Sequence, residues 1–585
     1  MSGSNSVKYV KGWSTNTEFD PETPHYFVNL SEKHLYNFEI LNALTLLGNY
    51  ENLLTFIELQ VQKVLTVDKD KQELLVPPFD VWIILLTIGT VTNVSKDQVL
   101  NDSDVYNQSR ISLNKRALKL LSIYNRILID FDTKKYSQYD LELLRCQIFL
   151  VLDTILPRTE GRTIGSSMIR TLRVKMYSPA YTELRNPYSS YKDCLQQLDS
   201  VLGSKLIHKK LTQPGEMANL LLFTFSNSLP MQQDNKVQFL TVYETWISFF
   251  PLLFEMISLR QNYYIENETT KVDAPIEPVL FIQRLIESPI ARYFRVINST
   301  QFIERFIEYV FVDCPDDKNQ TRFVNEANDP KSFNISSTYM DRTFYPPDYT
   351  VECSMRLRRH FAFLGFHLLS VVPNGCNLIS PRMETNKFIS EMASELYYLR
   401  DVTHFESFLL SDNLERDIIF IPLLLETVFK ILLNERSELF DTDGYTKTIK
   451  PTEHDGGEIH KTRNYQPEFV NSINNFTVAV SEYEVALNLL YIKSDRNSKA
   501  IKQEEYELKL KGFICVMIMF NFCCFANASH SQREIQFSLK SKHFRDSVRG
   551  LRNHFYEQVN KLDLVKKELG GTKKILLRLC EINDF

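Results

Sequence analysis

The stretch HYFVNLSEKHLYNFEILNALTLLGNYENLLTFIELQ, His25 to Gln60, decides how the rest of the chain is read. Ser31 has the hydroxyl that accepts from an unpaired amide in a first helical turn. Leu30 and Leu35 stand at the two ends of a hydrophobic staple around it, and Glu32 places negative charge at the positive end of the helix dipole. Ile40, Leu44 and Leu47 then recur at helical spacing, with Leu35, Phe38 and Leu46 as a second apolar set. Two sets predict a helix covered on two sides, unlike a lone amphipathic helix at a surface. Gly48 supplies the left-handed residue that ends a helix. A second helix follows with Leu53, Ile57, Val61 and Val64 on one face, so the block reads as an αα-hairpin. It is helical packing, with no chemistry in it.

Outward from the hairpin, the same pattern dominates. The chain has 585 residues, enough for two or more lobes. Its 17 Gly are well under half the usual ~7%. A Gly-poor chain with few tight turns reads as all-α, an irregular assembly of packed helical hairpins in two lobes. No fixed period recurs, so a regular solenoid is not expected. The expected organisation is a disordered tail over 1–24, a helical lobe over 25–312 with a basic loop at 157–187, and a long polar loop over 313–352. A second helical lobe follows over 353–585, interrupted by a disordered insertion at 441–465. The most apolar run, FICVMIMFNFCCFANA (Phe513 to Ala528), is shorter than the ~20 residues a bilayer needs and contains Asn521. It is expected to be a buried core helix, with Cys515, Cys523 and Cys524 acting as small hydrophobes.

Charge and cysteine usage narrow the class. A net charge of -5 is not the signature of a DNA-coating protein. Nine scattered Cys without a C-x-x-C pair fit a reducing compartment. The N-terminal MSGSNSVKYVKGWS lacks an apolar core for a signal peptide. No phosphate loop, dinucleotide fingerprint, H-E-x-x-H, G-x-S-x-G or kinase signature is present. HDGGEIH, His454 to His460, has imidazoles and carboxylates, but its adjacent glycines deny the fixed geometry that a metal needs. No cofactor, metal or catalytic residue is assigned.

Three stretches are candidates for binding. Arg158, Arg162, Arg170, Arg173 and Lys175 face one acid, Glu160, in a loop that can grip phosphates or an acidic partner surface. Lys540, Lys542, Arg545, Arg549 and Arg552 open a C-terminal basic region, where few aromatics argue against base stacking. Both stretches also fit solvated surfaces. Val310, Phe311, Val312 and Asp313 match the apolar-then-acidic pattern of a SUMO-interacting strand. They also continue the helical pattern FIERFIEYVF, which favours the end of a packed helix.

From the residues alone, the chain is a non-catalytic helical interaction protein. A scaffold or adaptor of a nuclear or transport assembly, or an all-α enzyme without a known motif, remains open at this level. The block from His25 to Gln60 resembles the fungal non-SMC element five family of the SMC five-six chromosome-maintenance complex. So do SRISLNKRALKLL (Ser109 to Leu121), YDLELLRCQIFLVLDTI (Tyr139 to Ile155) and LTQPGEMANLLLFTFSNSL (Leu211 to Leu229). LFIQRLIESPIARYF (Leu280 to Phe294), FIERFIEYVF (Phe302 to Phe311) and VPNGCNLISPR (Val372 to Arg382) extend the resemblance across most of 25–382. It implies an obligate heterodimer with the sixth non-SMC element and contact with the SMC five and SMC six subunits. It further implies control of their ATPase and of DNA loading, support of the SUMO-ligase subunit and SUMO machinery, and a nuclear, chromosome-associated place. DNA contact would be indirect or weak, and no membrane is involved.

Overall fold

A computed structural model describes residues 8–10, 27–29, 32–66, 73–90, 113–156, 236–270, 278–295, 297, 299–312, 314, 352–373, 376–379, 381–399, 401–435 and 503–529, with individual positions in 220–225, 549–553 and 571–578. Within these the fold is all-α, with only two small antiparallel pairings. Strand β1 (Lys8–Val10) pairs with β2 (Phe27–Asn29), so part of the polar N-terminal stretch is ordered by a partner distant in sequence. The chain divides into two compact units. One runs to Asn298, and the other takes up the described helices from Ser299 onward.

The first unit begins with the hairpin α1 (Glu32–Leu46) and α2 (Tyr50–Thr66). Gly48 lies between them at φ +65, the left-handed conformation that ends α1. In α2 the expected Leu53, Ile57 and Val61 are buried, joined by Leu54. α1 departs from expectation. Its buried side is His34, Phe38, Leu41 and Thr45, of which only Phe38 belongs to an expected set. Leu47 is 78% exposed, and Ile40 and Leu44 are half-buried, so the first expected set is only partly covered. Periodicity passes over His34 and Thr45 because they are polar. Both are satisfied: the imidazole Nε2 lies 3.1 Å from Asp140 Oδ1, and the Thr45 hydroxyl donates to the Leu41 carbonyl. Ser31, the expected cap, lies outside the described residues.

Behind the hairpin lies α3 (Phe79–Thr90), whose Val81 to Leu86 are buried without interruption. A helix apolar all round is buried all round. Four helices touch it: α1, α4 (Leu113–Asp130), α5 (Gln138–Ile155) and α6 (Lys236–Thr270). Its buried threonines, Thr87 and Thr90, donate back to Ile83 O and Leu86 O within the same helix. Short helices α7 (Pro278–Leu285) and α8 (Pro289–Phe294) complete the unit. Trp246, Phe250 and Phe254 of α6 form an aromatic ladder that ends on Tyr293 of α8, with ring centroids 5.7–5.8 Å apart.

The second unit contains α9 (Phe302–Val310), α10 (Glu352–Leu369), α11 (Thr385–Tyr398), α12 (Val402–Leu409), α13 (Leu414–Asp417), α14 (Phe420–Glu435) and α15 (Gln503–Ser529). A short hairpin, β3 (Leu378–Ile379) and β4 (Arg382–Met383), precedes α11. As expected of the most apolar run, Phe513 to Phe520 of α15 are all buried, against α12 and α14. α9, read from sequence with the first lobe, packs on α10 and α11. Phe306 stacks on Phe361 at 4.7 Å and lies 5.5 Å from Phe388. Gly365 lets these rings approach: a Cβ there would lie 3.0 Å from Phe388 Cζ and 3.1 Å from Phe306 Cζ.

These glycines act for different reasons, and substitution separates them. At Gly48 a Cβ meets nothing within 4 Å, so Gly48→Ala is expected to cost only the backbone term, about 1–2 kcal/mol, and Gly48→Asn less. Gly365→Ala gains helix propensity but crowds the fully buried Phe306 and Phe388 rings, so a net loss of about 1–2 kcal/mol is expected. Urea unfolding followed by circular dichroism measures both. A stabilised Gly365→Ala would refute the close-packing account.

Candidate interaction site

The candidate residues from sequence fall in different places. Val310 and Phe311 end α9 with their side chains buried, while Val312 is half-buried. Extending Val310 to Val312 as an added strand would require the last turn of α9 to unwind. Asp313 lies outside the described residues, as do Arg158, Arg162, Arg170, Arg173, Lys175 and the His454–His460 segment. Of the C-terminal basic set, Arg549 is an exposed helical position. Lys540, Lys542, Arg545 and Arg552 lie outside the description. Among the described residues, no group of three or more His, Cys, Asp or Glu could hold a metal. No described helix is long and apolar enough to cross a membrane.

The polar chemistry that the structure does assemble is directed at backbone. A helix leaves its last carbonyls without intrahelical donors, and they carry the negative end of the dipole. Arg358 and Arg359, consecutive on α10, are both fully buried and reach the ends of two different helices. Arg358 donates from Nη1 to Val310 O (2.7 Å) and Val312 O (2.8 Å), ending α9, while its Nε donates to Ser354 Oγ. Arg359 donates to Phe408 O (3.2 Å) and Leu410 O, ending α12, and to the Asp412 carboxylate. Asp417, itself buried, pairs with Arg359 Nε at 3.4 Å and with Arg416 at 2.8 Å. Burial pushes the Arg359 guanidinium down, and Asp417 and Asp412 oppose that. For Asp412, burial acts upward, but Arg359, Arg356 and Arg416 together outweigh it and leave the carboxyl at about 2.

The same device recurs along both units. Lys511, the buried cation of α15, donates to Tyr397 O (2.6 Å) and Leu399 O, which end α11. Burial lowers its pKa to about 8. In the first unit Arg292 donates to Leu156 O at the end of α5, and Arg295 to Ile286 O just past α7. One helix start is met by an acceptor: Gln261 Oε1 accepts from Ile290 N at the start of α8. The buried Glu406 accepts from the Thr572 amide and hydroxyl. Sequence reasoning misses these residues because a charged side chain in an amphipathic helix is ordinarily solvated. A usable signal is present in RLRRHF: three consecutive polar residues sweep about 200° of helix surface, too wide an arc for a helix that also carries Leu357 and Phe361.

A different surface remains open on α1. Tyr36 (63% exposed), Ala43 and Leu47 lie on the side opposite the core, with Ile40 and Leu44 half-buried between them. The apolar recess lined by Trp82, Leu86, Leu121, Ile148 and Leu253 lies between packed helices of the first unit.

Two consequences are measurable. Arg359→Ala strands two backbone carbonyls in the interior and takes one of two cations from the buried Asp417, which keeps Arg416, and is expected to cost about 3–5 kcal/mol. Arg356→Ala, which removes an exposed partner of the same Asp412, is expected to stay within about 0.5 kcal/mol of wild type. Denaturant unfolding compares them, and equal losses would sink the buried-cap account. Lys511 gives a pH test. Its folded pKa of about 8 lies below the unfolded value near ~10.4, so between these the unfolded chain binds the extra proton. Stability therefore rises as pH climbs from about 8 to ~10.4. The difference between wild type and Lys511→Met is expected to shift in favour of wild type across that window, and a flat difference would contradict it.

Comparison with known proteins places this architecture. A family model described as DNA repair proteins Nse5 and Nse6 matches residues 1–455. That span covers the first unit and the second as far as α14. Non-structural maintenance of chromosome element 5 of Saccharomyces cerevisiae is 37% identical over 428 residues, covering 71% of this chain and 74% of that protein. With most of its length matched, the chain belongs to the family of DNA repair proteins Nse5 and Nse6.

Proposed function

We propose that this chain is a non-catalytic regulatory and loading subunit of the SMC five-six complex. It acts as a heterodimer with the sixth non-SMC element, contacts the SMC five and SMC six subunits, and restrains their ATPase while assisting loading on DNA. It supports the SUMO-ligase subunit during DNA repair, in the nucleus and on chromosomes. The observation that carries this reading is the family match over residues 1–455, together with the 37% identity to the yeast chromosome element.

The physical character of the chain supports a mechanism by occupancy. The buried Arg358, Arg359 and Lys511 are engaged with helix ends, where they hold the helices in fixed relation. His367 is held neutral by burial, with a pKa lowered to about 4, which suits a core imidazole. Such units present preset surfaces, so binding need not order them first.

The test uses the full chain co-expressed with the sixth element and added to purified SMC five-six. Lower ATP turnover at saturating pair, co-purification with SMC subunits, and no phosphate release by the pair alone are expected. Intrinsic ATP or SUMO-transfer activity, or a bound fraction dominated by a transport assembly, would overturn the reading.

A further inference from the structure

The outer side of α1 has the form of a helix–helix seam. Tyr36, Ile40 and Ala43 of α1, and Leu47 in the turn just past its end, are spaced 4, 3 and 4 residues apart, the alternation that brings apolar side chains along one edge. Scattered exposed hydrophobics are ordinary, but a row at seam spacing on a helix whose opposite side is already buried is not. The packed side is complete without it: His34, Phe38, Leu41 and Thr45 meet the rest of the unit. Ala43, small and central, leaves room for close approach of another backbone, with Tyr36 and Leu47 as larger groups on either side. Glu39 flanks the row, exposed, with no cation beside it among the described residues.

We propose that this face docks an amphipathic helix of the heterodimer partner, one that carries apolar residues at matching spacing and a Lys or Arg opposite Glu39. The proposal rests on the heterodimeric reading above. Charge separates this occupant from a second copy of the chain. The basic groups of α1 are Lys33 and His34, and both are engaged, with Glu73 and Asp140. A copy of α1 therefore offers Glu39 no cation, and covering an uncompensated carboxylate opposes association. Size agrees. Four side chains along one helix edge fall short of the ~20–30 residues a side of a stable interface. The face therefore fits one helix within a larger contact, and two copies meeting on it alone would hold weakly.

The experiment uses the full chain and the sixth non-SMC element as the probe. Ala43→Glu with Leu47→Glu places charge in the seam at exposed positions. The double variant alone is expected to keep its thermal midpoint within about 2 °C of wild type. Its affinity for the sixth element is expected to fall about tenfold or more, and a photoreactive residue at position 47 of otherwise wild-type chain is expected to crosslink to that partner. Glu39→Lys is expected to weaken the pair as well, less so in high salt. Unchanged affinity of the double variant overturns the proposal while leaving the heterodimer intact. A large loss of stability in the variant alone overturns it by showing that the chain itself covers the face. A wild-type homodimer dissolved by the double variant overturns it in favour of a second copy. Failure of the wild-type chain to retain the sixth element defeats this inference and the heterodimeric reading together, and is thereby distinguished from the other outcomes.

Discussion

The architecture depends on what happens where a helix stops inside protein. Many of these helices are short, and several end against other helices instead of in water. Each such end brings unpaired carbonyls and a partial negative charge into the interior. Leaving one buried acceptor unmade costs about 1–3 kcal/mol, a large fraction of a domain's net stability. The chain meets this cost with cations from distant segments. Arg358 serves α9, Arg359 serves α12 and Lys511 serves α11. Two of these are neighbours on α10, so one turn of one helix fixes the ends of two others.

The first unit solves a related problem with different groups. Residues 74–78 are buried but not helical, so their backbone has no ladder of its own. Asp140 accepts from Leu74 N at 3.1 Å, Tyr124 donates to Leu75 O at 2.7 Å, and the Trp82 indole donates to Pro77 O at 2.8 Å. The same Asp140 pairs with His34 of α1, and its amide donates to the Ser137 cap. One carboxylate thus ties the leading hairpin, the buried segment and the start of α5 together. In both units polar side chains set the order of apolar helices whose packing alone would tolerate slippage.

This use of charge bears on function. A subunit that acts by holding others in place needs surfaces whose geometry survives binding, and interior caps supply that rigidity. They also leave apolar exposure to be governed by the outer faces, of which the α1 row is the most regular among the described residues. The internal and external sides of that helix are separated by half a turn. Core and contact therefore share one short sequence, which is why its apolar content is high all round.

From sequence alone, helix content, the hairpin turn at Gly48, the core side of α2 and the burial of Phe513 to Phe520 are legible. Each follows from local rules: left-handed tolerance of glycine, 3.6-residue periodicity, and an apolar run too long and too uniform for a surface. The pairing of β1 with β2 and the grouping of α9 with α10 and α11 are not, because each is decided by segments elsewhere in the chain. The inner side of α1 is also misread from periodicity, since His34 and Thr45 become core residues only when Asp140 and the Leu41 carbonyl are in reach. For Arg358, Arg359 and Lys511, residue type sets the charge, and tertiary structure decides whether water or a helix end solvates it. A side chain's periodicity is written locally, whereas the partner that makes its burial tolerable is supplied only by the folded chain.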